Sequence, residues 1–161
     1  MYRLEQETFL PYDIQDIFPF FAEASNLEAI TPPWLSFRIL TPLPIAMQEG
    51  THIAYRLKIM GIPFSWKTLI SVWEPPYRFV DEQLQGPYRH WHHEHAFESV
   101  NGGTLMRDTV HFALPFAPFG HLAYPLIKIQ LSFIFDYRTR ALHHTFPMAQ
   151  VKKRIFERVK K

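Results

Sequence analysis

Cysteine is absent from the chain. Disulfides, thiolate metal sites and cysteine nucleophiles are therefore excluded, and the absence fits a reducing compartment. The start, "MYRLEQETFL", has acidic residues and alternation where a signal peptide needs a basic region and an apolar run. A cytoplasmic protein is expected. An uninterrupted membrane-length apolar run is missing as well. Ala113 to Phe135 holds one formal charge, Lys128, but Pro115, Pro118, Gly120 and Pro125 interrupt it and Gln130 sits in its middle, so no transmembrane segment is expected. Internal repeats, low-complexity segments and linkers are lacking, and 161 residues suit one domain.

Basic charge is scarce except at the end. The last eleven residues, "VKKRIFERVKK", carry six cations against Glu157, which leaves 11 basic and 14 acidic groups in the first 150. No basic face for nucleic acid follows from such a body. What the chain has in quantity is aromatic surface: 15 Phe, 7 Tyr and 4 Trp against only 6 Gly. Large rings either fill a core or wall a cavity with apolar surface and a few polar tips.

Periodicity sets the order of elements. "YRLEQETFL" alternates, with Tyr2, Leu4, Gln6 and Thr8 on one face, and reads as a half-buried strand. Residues 11–30 switch to a helical period through Ile14, Ile17, Phe18, Phe21 and Leu27, with Asp13 as N-cap and Pro19 breaking the run into two short helices. "TPPW" ends the segment. From Leu35 strands follow one another across short turns: "LSFRIL", "GTHIAYRLKIM", "FSWKTLISVW", "YRFVDEQL", "YRHWHHEHAFESV" and "TLMRDTVHFAL". Such a series is an antiparallel meander. His121 to about Phe146 then reads as one long helix, with Leu122, Leu126, Ile129, Phe133 and Tyr137 as one apolar stripe that Ile127, Leu131, Ile134 and Phe135 widen.

"NLEAITPPW" (26–34), "GIPFSWKTLISVWEPP" (61–76), "FVDEQLQGPY" (79–88), "WHHEHAFE" (91–98), "GGTLMRDTVHF" (102–112) and "FDYRTRALHH" (135–144) together resemble the START-like superfamily, also called SRPBCC or polyketide-cyclase-like. Within it the chain is similar to bacterial ligand-binding proteins that occur alone or fused to an NAD-dependent epimerase domain. The resemblance implies an α+β helix-grip domain over 1–146: a curved antiparallel sheet of six to seven strands, two short helices and one long C-terminal helix enclosing an apolar cavity. Superfamily members include lipid and sterol carriers, ubiquinone-binding proteins, polyketide cyclases and chaperone activators, so fold does not determine function. Binding or transport of a hydrophobic or aromatic small molecule or lipid is the implied role, without an established catalytic step.

Four histidines and a glutamate crowd "HWHHEH", residues 90–95. Strand alternation separates them: Trp91, His93, His95 and Phe97 share one face, and His90, His92 and Glu94 the other. The aromatic face is assigned to the cavity. Asn101-Gly102 is a strong two-residue hairpin signal, and it pairs residues whose numbers sum to 203. His95 then opposes Asp108, His93 opposes Val110, Phe97 opposes Met106 and Trp91 opposes Phe112. The same alternation turns Phe79, Asp81 and Gln83, and Trp66, Thr68 and Ile70, inward. The expected ligand-binding set is Trp66, Phe79, Asp81, Trp91, His93, His95, Phe97, Asp108, Val110, Phe112 and, from the helix, Phe133.

Asp81, His93, His95 and Asp108 form one polar patch on this reading. It is open to three uses: a network that neutralises its own charges, a polar anchor for a ligand, or acid–base catalysis of a cyclase or dehydratase kind by His95 and Asp108 with His93. His93 and His95, two apart on a strand, can both reach one ion with Asp108 as third ligand, but the set lacks a distant fourth partner. Neither a metal nor a cofactor is expected. The resemblance implies that "HFALPFAPFG" (111–120) borders the cavity mouth, as a gate or as a plain hydrophobic connection. The end, 147–161, reads as a basic tail in which Val151, Ile155, Phe156 and Val159 share one side of a helix, suited to a membrane surface or an acidic partner, or else as a solvated terminus; a third role for the chain, as an interaction module supporting a partner enzyme, would act through this tail.

Overall fold

A computed structural model describes residues 1–116 and 119–159. Pro118 of the proline-rich loop and Lys160 and Lys161 of the basic end lie outside the described residues. Strand β1 (Tyr2–Leu10) buries Tyr2, Leu4, Gln6 and Thr8 as alternation requires. Asp13 caps helix α1 (Ile14–Ala22) by accepting from the Gln15 backbone N–H at 2.8 Å. Contrary to expectation, Pro19 does not break the run: it sits inside α1, whose Ile17 and Phe18 are buried, and the break falls at residues 23–25, before the single turn of α2 (Asn26–Ala29). A 3-10 turn over Pro33–Leu35 leads to β2, only Arg38–Ile39, so most of "LSFRIL" is not strand.

The meander then runs through β3 (His52–Ile59), β4 (Ile62–Glu74), β5 (Arg78–Gln85), β6 (His90–Val100) and β7 (Gly103–Ala113). A short 3-10 segment, Phe119–Ala123, enters helix α3 (Tyr124–Thr145), and β8 (Gln150–Arg158) closes the described chain. These strands form one antiparallel sheet in the order β2-β3-β4-β5-β6-β7-β1-β8.

Two expectations are corrected here. Among the described residues the sheet has eight strands rather than six or seven, because the basic end is neither a helix nor a loose tail: residues 150–158 pair with β1. The pairing is set by charge as well as by backbone. Arg3 donates to Glu157 at 2.9 Å, Lys153 lies 3.6 Å from Glu5, and Arg154 reaches Asp136 of α3 at 2.7 Å, while Phe156 packs on the main core beside Leu4. The helical spacing of Val151, Ile155 and Phe156 misleads because an unpaired β1 would leave a row of backbone donors and acceptors exposed.

The second correction concerns the face of α3. Leu131, Phe135 and Leu142 are the buried residues, and Ile127 and Ile134 pack beside them. Leu122, Leu126, Ile129 and Phe133 point to solvent, Phe133 being 57% exposed. This helix is apolar on two sides, so periodicity alone does not choose the side that meets the sheet.

Two clusters of buried side chains lie between helix and sheet. One joins Tyr2, Leu4, Val110 and Phe112 to Leu131 and Phe135; the other joins Leu10, Ile17, Phe18, Phe97 and Met106 to Leu142 and Phe146. The role of β8 is testable by Phe156→Ala, which removes a half-buried ring: urea denaturation is expected to show a loss of about 1–2 kcal/mol. Deleting 150–161 is expected to lower the thermal midpoint further and to promote association seen by size exclusion. An unchanged midpoint in the deletion would remove β8 from the folded unit.

Candidate functional site

Three neighbouring strands bring the polar patch together. Asn101 and Gly102 form the turn between β6 and β7, Gly102 with a left-handed φ of +84°, and Val100 pairs with Gly103. The register derived from that turn holds throughout: His95 opposes Asp108, His93 opposes Val110, Phe97 opposes Met106 and Trp91 opposes Phe112. On the other side of β6, Asp81 opposes His93 and Phe79 opposes His95.

The two imidazoles lie against each other, their centroids 3.8 Å apart, and Phe79 stacks on His95 at 4.3 Å. Asp108 is fully buried beneath them and Asp81 stands at their other edge, its side chain 19% exposed. His93 Nε2 lies 3.2 Å from Asp108 Oδ1, and His95 Nε2 lies 3.1 Å from Asp81 Oδ2. His93 Nδ1 is 3.4 Å from the same Asp81 oxygen. His95 Nδ1 comes within 2.8 Å of Asp108 Oδ1, yet without hydrogen-bond alignment, and Asp108 Oδ2 has no partner among the described residues. The acid opposite His95 in register is thus shared by both rings, and Asp81 takes the aligned bond to His95.

Burial acts first on every group. It would raise Asp108, but the hydrogen bond from His93, the close approach of His95 and the charges of both rings overcome it and hold the carboxyl far below the ordinary range. Asp81 is likewise held low, against burial, by the charge of His93, the bond from His95 and the more distant Arg138. The histidines part company. Burial and the neighbouring His95 charge push His93 down; for His95, the close contact with Asp108 and the bond to Asp81 outweigh burial and push it up.

This patch forms one wall of a cavity of about 200 Å³ between the sheet, α1–α2 and α3. Of the residues expected around a ligand, Trp66, Phe79, Asp81, Trp91, His93 and His95 line it. Phe97, Asp108, Val110, Phe112 and Phe133 do not. Phe97 is covered by Phe18 and Phe21 of α1, with ring centroids 5.5 and 5.3 Å away. Val110 and Phe112 are sealed under Leu131 and Phe135, Asp108 lies behind the histidines, and Phe133 faces solvent. His90 is exposed and His92 and Glu94 are half-buried on the opposite face of the sheet, as alternation requires.

Sequence reasoning missed Tyr55, Tyr88, Gln130 and Arg138, which also line the cavity. Arg138 follows Leu131 and Phe135 at helical spacing, a signal hidden by its place near the helix C-terminus, where a cation is ordinarily explained by the helix dipole. Tyr55 bonds Thr68 at 3.1 Å and Trp66 Nε1 donates to the same hydroxyl at 3.1 Å, so that end of the cavity is satisfied within itself. Gln130 Oε1 is buried without a partner among the described residues.

The electrostatic arrangement has a defined pH signature. Because Asp108 and Asp81 are depressed in the folded state, the unfolded chain binds more protons just below its own carboxylate pKa of about 4. Their stabilisation is complete above that pH and is lost as pH falls towards the lower folded values. Asp108→Asn, which leaves two imidazoles over a neutral amide, is expected to cost about 3–5 kcal/mol near neutrality. Urea denaturation of both proteins at neutral and acid pH should show the gap closing below about pH 4. A gap that does not change with pH would exclude an ionised Asp108.

No protein-family model and no curated protein matches the sequence. Solved structures do. Protein Ms6760 from Mycobacterium smegmatis superposes with a TM-score of 0.66 at 13% identity over 89% of each chain. Ara h 8.0201 gives 0.59 at 15% identity over 88% of this chain and 99% of its own. A nucleoside-diphosphate sugar epimerase from Corynebacterium glutamicum gives 0.59 at 21% identity, over 86% of this chain but only 28% of the larger protein. At such identities the likeness is one of fold, and the fold is the α+β helix-grip arrangement of a large antiparallel sheet around a long C-terminal helix.

Proposed function

We propose that the chain binds an apolar or aromatic small molecule in the cavity, within the START-like superfamily that its motifs resemble. The carrying observation is the cavity itself: aromatic and aliphatic walls from Leu35, Ile53, Trp66, Ile70 and Phe135, and one polar wall of Asp81, His93, His95 and Arg138. Apolar pockets with a few placed polar groups are the usual form of small-molecule sites. Gln130 Oε1 adds a buried acceptor that a ligand hydroxyl or amide would satisfy.

Size narrows the class. An apolar cavity of about 150 Å³ takes benzene, so about 200 Å³ suits one ring with a polar substituent better than a sterol or a two-chain lipid. A second reading, acid–base catalysis of the cyclase or dehydratase kind, is favoured by one observation: two imidazoles with centroids 3.8 Å apart stand at the cavity wall, each against the carboxylates of Asp81 and Asp108.

Ile134, half-buried on the cavity side of α3, is the position for a test of occupancy. Ile134→Trp is expected to weaken binding of an apolar fluorescent probe, and of monocyclic aromatics that displace it, by about tenfold or more while the fold is retained. Equal probe affinity in Ile134→Trp and the parent would place binding elsewhere. For a catalyst, His95→Ala should abolish turnover of a candidate substrate and leave its affinity within about tenfold; a carrier turns nothing over.

A further inference from the structure

We infer that Asp81, His93 and His95 form a binding site for one divalent transition-metal ion, with Asp108 as the residue that orients both imidazoles. His93 Nδ1 and His95 Nε2 lie 3.4 and 3.1 Å from one Asp81 oxygen, and one ligand atom from each of the three residues lies within 4.8 Å of the others. Ligands bound at about 2.0–2.2 Å to a tetrahedral or octahedral ion stand about 3.0–3.5 Å from one another. The two edges that meet at Asp81 already have that length.

Orientation is the second argument. Each ring turns its other nitrogen towards Asp108: His93 Nε2 at 3.2 Å and His95 Nδ1 at 2.8 Å, both to Oδ1. A carboxylate behind a histidine selects the tautomer whose lone pair points the opposite way, and here that way is towards Asp81 and the cavity. One buried anion thus presents two lone pairs to one point. A small rotation of the His95 ring onto an ion would align its Nδ1–H with Asp108, whose Oδ2 is otherwise without a partner among the described residues.

Two imidazoles and one carboxylate, without thiolate, suit Zn²⁺, Fe²⁺, Co²⁺ or Ni²⁺. All three ligands line the cavity, so the remaining coordination positions face the space where a small molecule would sit. The site does not require that molecule, and its failure would leave the ligand reading standing.

The test uses the full chain, stripped with chelator and free of any histidine tag, titrated with Co²⁺ by visible absorption and with Zn²⁺ by calorimetry. One ion per chain is expected, with d–d bands of nitrogen–oxygen coordination and a raised thermal midpoint. Asp81→Asn, at a partly exposed position, and His95→Ala should each weaken binding by more than about a hundredfold, and Asp108→Asn by about ten- to a hundredfold. The outer-face pair of changes His90→Ala and His92→Ala should leave affinity unaltered. Circular dichroism and apolar-probe binding report whether each variant is folded. Binding that survives Asp81→Asn but disappears in the His90/His92 variant would be adventitious surface binding and would overturn the proposal, as would a folded parent protein that takes up neither ion.

Discussion

A carboxylate with no exposed surface is the constraint from which the site follows. Asp108 stands in the middle of β7 under the long helix, where an unpaired charge would cost several kcal/mol. It is tolerated because two imidazoles approach it from β6. Those imidazoles are in turn held by Asp81 on β5, so three adjacent strands are committed to one charge-compensated cluster. Apolar residues of the same volume would give a simpler core. The cluster's cavity side shares the cavity wall with Arg138 and Gln130 of α3.

The cavity exists because the helix does not cover the sheet evenly. Over β1 and β7, Leu131 and Phe135 meet Leu4, Val110 and Phe112 and leave no room. Towards β3, β4 and β5, side chains such as Tyr55, Trp66, Thr68 and Ile70 face space bounded by α1 and α2 instead. The line between packed core and cavity falls along β6 and β7. That is why residues two apart, or directly paired across the hairpin, end in different environments: His95 at the cavity wall, Phe97 in the core, Asp108 behind the wall.

Much of this was legible from residues alone, for a reason specific to strands. Alternation is a two-valued property, so one aromatic bracket, Trp91 and Phe97, was enough to sort four histidines into two faces, and one Asn-Gly turn was enough to place His95 opposite Asp108. The next level was not legible. Which of two acids a ring bonds depends on side-chain angles, so the aligned partner of His95 proved to be Asp81. A helix apolar on two sides offers two equivalent solutions, which misplaced Phe133 and concealed Arg138. The basic end carried both a helical spacing and charges complementary to Arg3 and Glu5 of β1, and only the latter mattered. Burial under the helix, which removed Val110 and Phe112 from the cavity, is a matter of coverage that no single strand records.

The Asn101-Gly102 turn carries a consequence for how this chain can vary. Exposed hairpin tips ordinarily accept insertions at little cost, and neither Asn101 nor Gly102 lines the cavity. Yet its two-residue length is the ruler that sets Asp108 under His93 and His95. Slipping the hairpin by two residues would keep every side chain on its proper face, leave the hydrophobic pattern intact, and carry the acid about 6.8 Å along β6, out of its place opposite His95. The protein would keep its sheet and lose the His95–Asp108 pairing. The length of a solvent-exposed turn thus sets the neighbours of a fully buried charge on the same hairpin.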